Sequence, residues 1–135
     1  MEFNGDFYIE SGMPYSLADI ENKWFDQSPG PRIVFDDDQY LAVEQKYGTK
    51  PRFSQTGSRI AFPKNQWVHV RWKMFMDDIN GKVELWQDGT KIVDAYGKTI
   101  PTFNSVQTNL EIGISATSTA TVLYMDNILL VVSRK

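Results

Sequence analysis

The chain has 135 residues, a net charge of −3 and no cysteine. That length fits a single domain over 1–135, the missing cysteines exclude disulfides and thiolate metal sites, and the absence of any basic run argues against nucleic acid as the main partner. Four Trp, six Tyr and eight Phe in so short a chain favour strands.

In chain order, residues 6–11 read as a first strand. Residues 16–25 fit either a short helix or an irregular strand. Residues 32–35 and 40–46 read as a hairpin turning at Asp36-Asp37-Asp38, with Tyr40, Glu44 and Lys46 opposite Leu41 and Val43. Residues 58–62 read as a further strand stopped by Pro63. The centre carries the clearest pattern. Over 66–76, Val68, Val70, Trp72, Met74 and Met76 alternate with Trp67, His69, Arg71, Lys73 and Phe75, the period of a strand with unlike faces. Asn80-Gly81 and Asp88-Gly89 then separate 66–76, 82–87 and 90–95. Both dipeptides suit a type I′ turn, whose two residues need φ > 0, so a three-stranded antiparallel meander is expected. Residues 110–115 and 121–132 close the chain. Short strands at this spacing predict an all-β, two-sheet antiparallel sandwich. The longest apolar run, 128–132, is far too short to span a bilayer. The start, Met1-Glu2-Phe3, leads straight into a mixed polar stretch with no visible leader.

Asn65-Gln66-Trp67-Val68-His69-Val70, the stretch 81–89, Leu110-Glu111-Ile112-Gly113-Ile114 and the stretch 122–128 together resemble the concanavalin A-like superfamily. The likeness covers roughly 30–132 and is nearest to laminin-G-like modules and jelly-roll polysaccharide lyases. It implies a jelly-roll sandwich, a polysaccharide or glycan partner, and an extracellular or cell-surface setting. Such lyases usually carry Lys two residues before a Gly and Tyr two residues after it. Here Gly113 is flanked by Glu111 and Ser115, and 23–25 supplies neither the Gln nor the His of the partner strand. A lyase needs a base for the C5 proton and a group that neutralises the uronate. The paired-carboxylate spacing of glycosidases of this fold is absent too. The resemblance therefore implies a non-catalytic, lectin-like carbohydrate-binding module. The alternatives are a lyase or glycosidase with a displaced site, and a structural or adhesion domain.

Alternation nominates the site. His69, Arg71 and Lys73, with Glu84 and Trp86 on the next strand, oppose apolar residues, and Tyr40 and Glu111 do so on theirs. If these faces coincide, one sheet presents rings for stacking and charges for hydroxyls. The structural account of the same residues is a solvated face with cross-strand ion pairs. Trp86 is the stacking candidate, Trp67 and Trp72 are read as core, and Trp24 as a rim residue. No cofactor is called for with certainty. Calcium suits the oxygens of Asp126, which interrupts an apolar strand, although a hydrogen-bonded Asp capping a bulge is the favoured account. Asp36, Asp37 and Asp38 read as a turn rather than a calcium site.

Overall fold

The computed structural model describes residues 1–22, 30–46, 51–114, 117 and 119–133. Its strands are β1 (Glu2–Ser11), β2 (Ser16–Asn22), β3 (Pro31–Phe35), β4 (Leu41–Gln45), β5 (Trp67–Phe75), β6 (Gly81–Gln87), β7 (Thr90–Gly97), β8 (Gln107–Ile112) and β9 (Val122–Val131). They form a five-stranded sheet in the order β7-β6-β5-β1-β9 and a four-stranded sheet in the order β4-β3-β2-β8. Each pairing is antiparallel. The chain is thus a two-sheet antiparallel β-sandwich. Among the described residues no helix is long and apolar enough to cross a membrane.

The alternation read in the sequence builds the core. Phe3, Phe7 and Ile9 of β1, Val70 and Trp72 of β5 and Leu85 of β6 turn inward. They meet Leu17, Ile20, Ile33, Phe35, Leu41 and Val43 of the other sheet. Glu2, Asn4, Asp6 and Tyr8, the alternate residues of β1, face out with His69, Arg71 and Lys73. The meander of β5, β6 and β7 forms as expected. Residues 16–22 of the ambiguous segment are strand, and 23–25, with Trp24, lie outside the described residues.

Three expectations are corrected. Residues 58–62 are not a strand. The Gln55 side chain takes the place of a ladder partner: its Oε1 accepts from Ile60 N at 2.8 Å and its Nε2 donates to Ile60 O at 3.1 Å. Gln87 Nε2 satisfies Ala61 O at 3.0 Å. With those backbone groups met by side chains, no neighbouring strand is required. The second correction is the β5–β6 turn. Asp88 and Gly89 have φ of 47° and 79°, as a type I′ turn demands. Asn80 and Gly81 do not share that geometry. Asp77 Oδ1 accepts from Ile79 N and Asn80 N at 2.8 and 2.7 Å and holds a longer turn. Gly81 is small for another reason, since a Cβ there would stand 2.2 Å from Thr99 Oγ1. The third is Trp67. It shares the outward face with His69 and is 51% exposed, whereas Trp72 is fully buried.

Candidate functional site

The outer face of the five-stranded sheet gathers five of the nominated residues: His69, Arg71 and Lys73 on β5, and Glu84 and Trp86 on β6. Register sets Arg71 opposite Trp86 and Lys73 opposite Glu84. Charge pairing covers much of this face. Arg71 Nε donates to Glu2 Oε1 at 2.7 Å. Lys91 and Lys82 lie 2.7 and 3.0 Å from Glu84 Oε1. The hydrogen bond from Lys91 is the chief reason that Glu84 titrates below the ordinary glutamate range. The guanidinium of Arg71 sits 4.7 Å from the Trp86 ring centre and the Lys91 ammonium 5.0 Å, so cations occupy the indole's faces. Lys73 is exposed and has no ion pair among the described residues. It borders a hollow of about 660 Å³ also lined by Glu2, Phe75, Glu84 and Val131.

At the other end of β5 lies a strip of rings that sequence reasoning missed. Tyr8 stands 5.6 Å from Trp67 and 5.9 Å from Tyr124, centre to centre. Trp67 and Tyr124 are half exposed. Tyr124 Oη donates to Glu10 at 2.7 Å, and that hydrogen bond raises the phenol's pKa. Beside the strip, His69 Nδ1 lies 2.6 Å from Asp6 Oδ1, while Asn127 Nδ2 donates to Asp6 Oδ2 at 2.7 Å. The hydrogen bonds from Asn127 and then His69 lower the Asp6 pKa. With a carboxylate on Nδ1, that nitrogen is the donor to Asp6. The alternation of Phe3, Phe7 and Ile9 with Asn4, Asp6 and Tyr8 is the signal that could have placed Tyr8 outward.

Tyr40 and Glu111 do not join this face: Glu111 is on β8 of the other sheet, and Tyr40 lies in the turn just before β4. Tyr40 closes the β3–β4 turn under the Arg59 guanidinium, 3.9 Å from its ring centre. Arg59 also pairs with Asp36 and with Asp38, which accounts for two of the three turn aspartates. Glu111 lies on β8 opposite Asp19 of β2. There the outward face of the four-stranded sheet holds a second polar group. Tyr15 Oη and Arg32 Nε both donate to Glu44 Oε2, each at 2.7 Å. Lys46 Nζ lies 2.8 Å from Asp19 Oδ1 and 2.6 Å from Glu21 Oε1. Glu44 is fully buried and Asp19 nearly so. Burial raises the Asp19 pKa against the pull of Lys46. Burial works most strongly against the Arg32 charge, but Glu44, Tyr15 and Asp19 together offset it, and the guanidinium titrates above its usual range. Asp19, Glu21 and Glu111 can bring one carboxylate oxygen each within 4.8 Å, yet the Lys46 ammonium already bridges the first two.

Asp126, the nominated metal ligand, sits exposed at a bulge of β9. Its Oδ1 accepts from Asn127 N at 2.7 Å, and Asn127 has φ of 52°. It is not among the described carboxylates that converge on a common point.

No family model and no curated protein matches the chain. Two solved structures do. The structure of alginate lyase Aly36B superposes with a TM-score of 0.58 at 14% identity, covering 94% of this chain and 67% of that one. A double mutant of that enzyme, a lysine and a tyrosine each replaced by alanine, in complex with an alginate tetrasaccharide, gives 0.58 at 13% identity over the same shares. At such identity the likeness is one of fold: this chain is a β-sandwich built like theirs.

Proposed function

We propose that the chain is a carbohydrate-binding module that takes an acidic polysaccharide, of the alginate class, across the outer face of the five-stranded sheet. The observation that carries the reading is the Tyr124–Tyr8–Trp67 strip. Three rings in contact lie outside the core, with Trp67 and Tyr124 half exposed. Exposed aromatic rings supply flat apolar area at little entropy cost, with a polar rim to orient a ligand. Here the rim is Glu10, Asp6, His69 and Asn127, which offer acceptors and donors to hydroxyls. Six residues further along β5, roughly 20 Å away by strand rise, Lys73 supplies a cation for a uronate carboxylate. The fold shared with alginate lyases supports uronates as the first ligands to try. Trp67→Ala should weaken binding of an alginate tetrasaccharide at least tenfold, equivalent to about 1–3 kcal/mol for a stacking anchor, and Lys73→Ala should weaken it less. Unchanged affinity in a folded Trp67→Ala protein would remove this face.

A second reading, a uronate lyase, is supported by one observation on the other sheet. Tyr15 is hydrogen-bonded to the buried Glu44 and lies under the Arg32 guanidinium, 4.8 Å from its ring centre. A phenol beside a guanidinium is suited to proton transfer, and Arg32 or Lys46 to neutralising a uronate. That site is displaced from the strand around Gly113. Growth of unsaturated ends from alginate, abolished by Tyr15→Phe and untouched by Trp67→Ala, would establish it in place of the first.

A further inference from the structure

We infer that His69 is the residue by which the ring strip accepts an acidic sugar, and that the chain therefore takes a uronate more tightly once its imidazole is protonated. This rests on the carbohydrate-binding reading above. It adds the group that selects the sugar's charge and the condition under which it does so.

The strip has an acidic surround. Asp6 of β1 lies opposite His69 on one side and opposite Asp126 on the other. Asp88, at the turn after β6, accepts from His69 N at 2.8 Å, and Glu10 holds the Tyr124 hydroxyl. The next outward residue along β5, Arg71, is paired with Glu2 and packed on Trp86. Trp67 and Asn127 nearby carry no charge, and Tyr8 and Tyr124 complete the strip. A uronate stacked on Trp67 thus meets carboxylates first, and none of the described groups that face His69 is an unpaired cation. The imidazole itself can become one, because histidine alone among side chains ordinarily changes charge between about pH 5 and 8.

Geometry holds the ring ready. Nδ1 lies 2.6 Å from Asp6 Oδ1, and Asn127 Nδ2 donates to the other oxygen of that carboxylate at 2.7 Å. Residues of β5, β1 and β9 together fix the imidazole. Because Nδ1 donates to Asp6, the proton gained in acid goes to Nε2. The side chain is 46% exposed, and Nε2 has no hydrogen bond among the described residues. His69 stands two residues from Trp67 on the same face, roughly 7 Å along the strand. That is within reach of the substituents of a sugar stacked on the indole. The protonated ring offers a donor and a positive charge there, and a sugar carboxylate stays ionised down to about pH 5. A hydroxyl in the carboxylate's place gains far less from the charge.

The coupling is reciprocal: if the proton tightens uronate binding, the bound uronate must raise the pH at which His69 titrates by the same factor. His69 is the single histidine of the chain, so its ring protons report this directly by NMR. The test follows them through a pH titration, free and saturated with an alginate tetrasaccharide. In parallel, tetrasaccharide affinity is measured from about pH 8 to about pH 5 for the wild type and His69→Gln. The expected result is a higher titration midpoint in the complex and a wild-type affinity that rises about two- to fivefold in acid, the range of a partly exposed ion pair. His69→Gln should show little of that rise. Any other group titrating in this range, the Met1 amino group near Met74 included, stays in the variant. The same oligomer with its carboxylates reduced to alcohols should leave the midpoint unraised. A bound tetrasaccharide with an unshifted midpoint, an equal rise in His69→Gln, or an equal shift with the reduced oligomer overturns this inference and leaves the binding reading standing. No binding at any pH overturns both. Should His69→Gln fail to fold, the wild-type midpoint decides.

Discussion

Trp67 and Trp72 lie five residues apart on β5 and face opposite ways. Trp72 is wholly enclosed between the sheets; Trp67 stands half in water against Tyr8. Truncation should therefore separate them cleanly. Trp72→Ala is expected to cost about 3–5 kcal/mol by opening a large cavity, while Trp67→Ala should stay within about 1 kcal/mol, both read by denaturant melts. Equal losses would mean that Trp67 is a packing residue. The Asp6 carboxylate gives the pH counterpart. Asn127 and His69 depress its pKa in the folded chain. A depressed carboxylate contributes stability that is complete above the ordinary aspartate range, about pH 4, and is lost as pH falls through the folded value. Comparing melts of Asp6→Asn and wild type from neutral pH downward, the gap should be widest near neutrality and close on the acid side. A gap independent of pH would contradict the network. Other depressed acids, Glu2 and Glu84 among them, contribute equally to both proteins and cancel in the difference.

The elements hang on small local devices as much as on the alternating pattern. Thr99 is buried behind the β5–β6 turn; its Oγ1 donates to Phe75 O and accepts from Asp77 N at 2.9 and 2.8 Å. Gly81 packs directly on it. Gly81→Ala should therefore destabilise by overpacking, about 1–3 kcal/mol, and in a Thr99→Ala background, which lacks both the Oγ1 at 2.2 Å and the methyl at 2.5 Å, the same change should cost less. An equal cost in both backgrounds would show that the contact is not the cause. Strand periodicity made the five-stranded sheet legible: β5, β6 and β7 came directly from alternation and the Asp88-Gly89 turn. The 58–62 segment was not legible. Its Ile60-Ala61-Phe62 run before Pro63 reads as a strand end, but the side chains of Gln55 and of Gln87, the latter far away in sequence, satisfy its backbone instead. That His69, Arg71, Lys73, Glu84 and Trp86 share one outer face was legible because one alternation carries the first three and the next strand is antiparallel to it. Tyr8 and Tyr124 were not, because their strands join β5 only through the order β5-β1-β9, which local pattern does not encode. For the same reason Tyr40 and Glu111 could not be placed away from this face.

At the scale of the whole molecule the sandwich presents two chemically different outer faces. The five-stranded face is broad, with half-exposed rings at one end and a cation beside a hollow at the other. The four-stranded face is narrower, and its charges are largely buried in pairs around Glu44 and Asp19. On the proposed reading a polysaccharide stacks on the half-exposed rings of the first, whose ion pairs are partly in water, whereas on the second it must displace or extend a buried network, at the cost of exposing buried charge. Chemical-shift mapping with an alginate tetrasaccharide compares the faces in one titration. The account predicts saturable shifts at the Trp67 indole, the His69 ring and the amides of β1 and β5 near Tyr8. Shifts confined to β2, β3 and β4 around Tyr15 and Arg32 would contradict it.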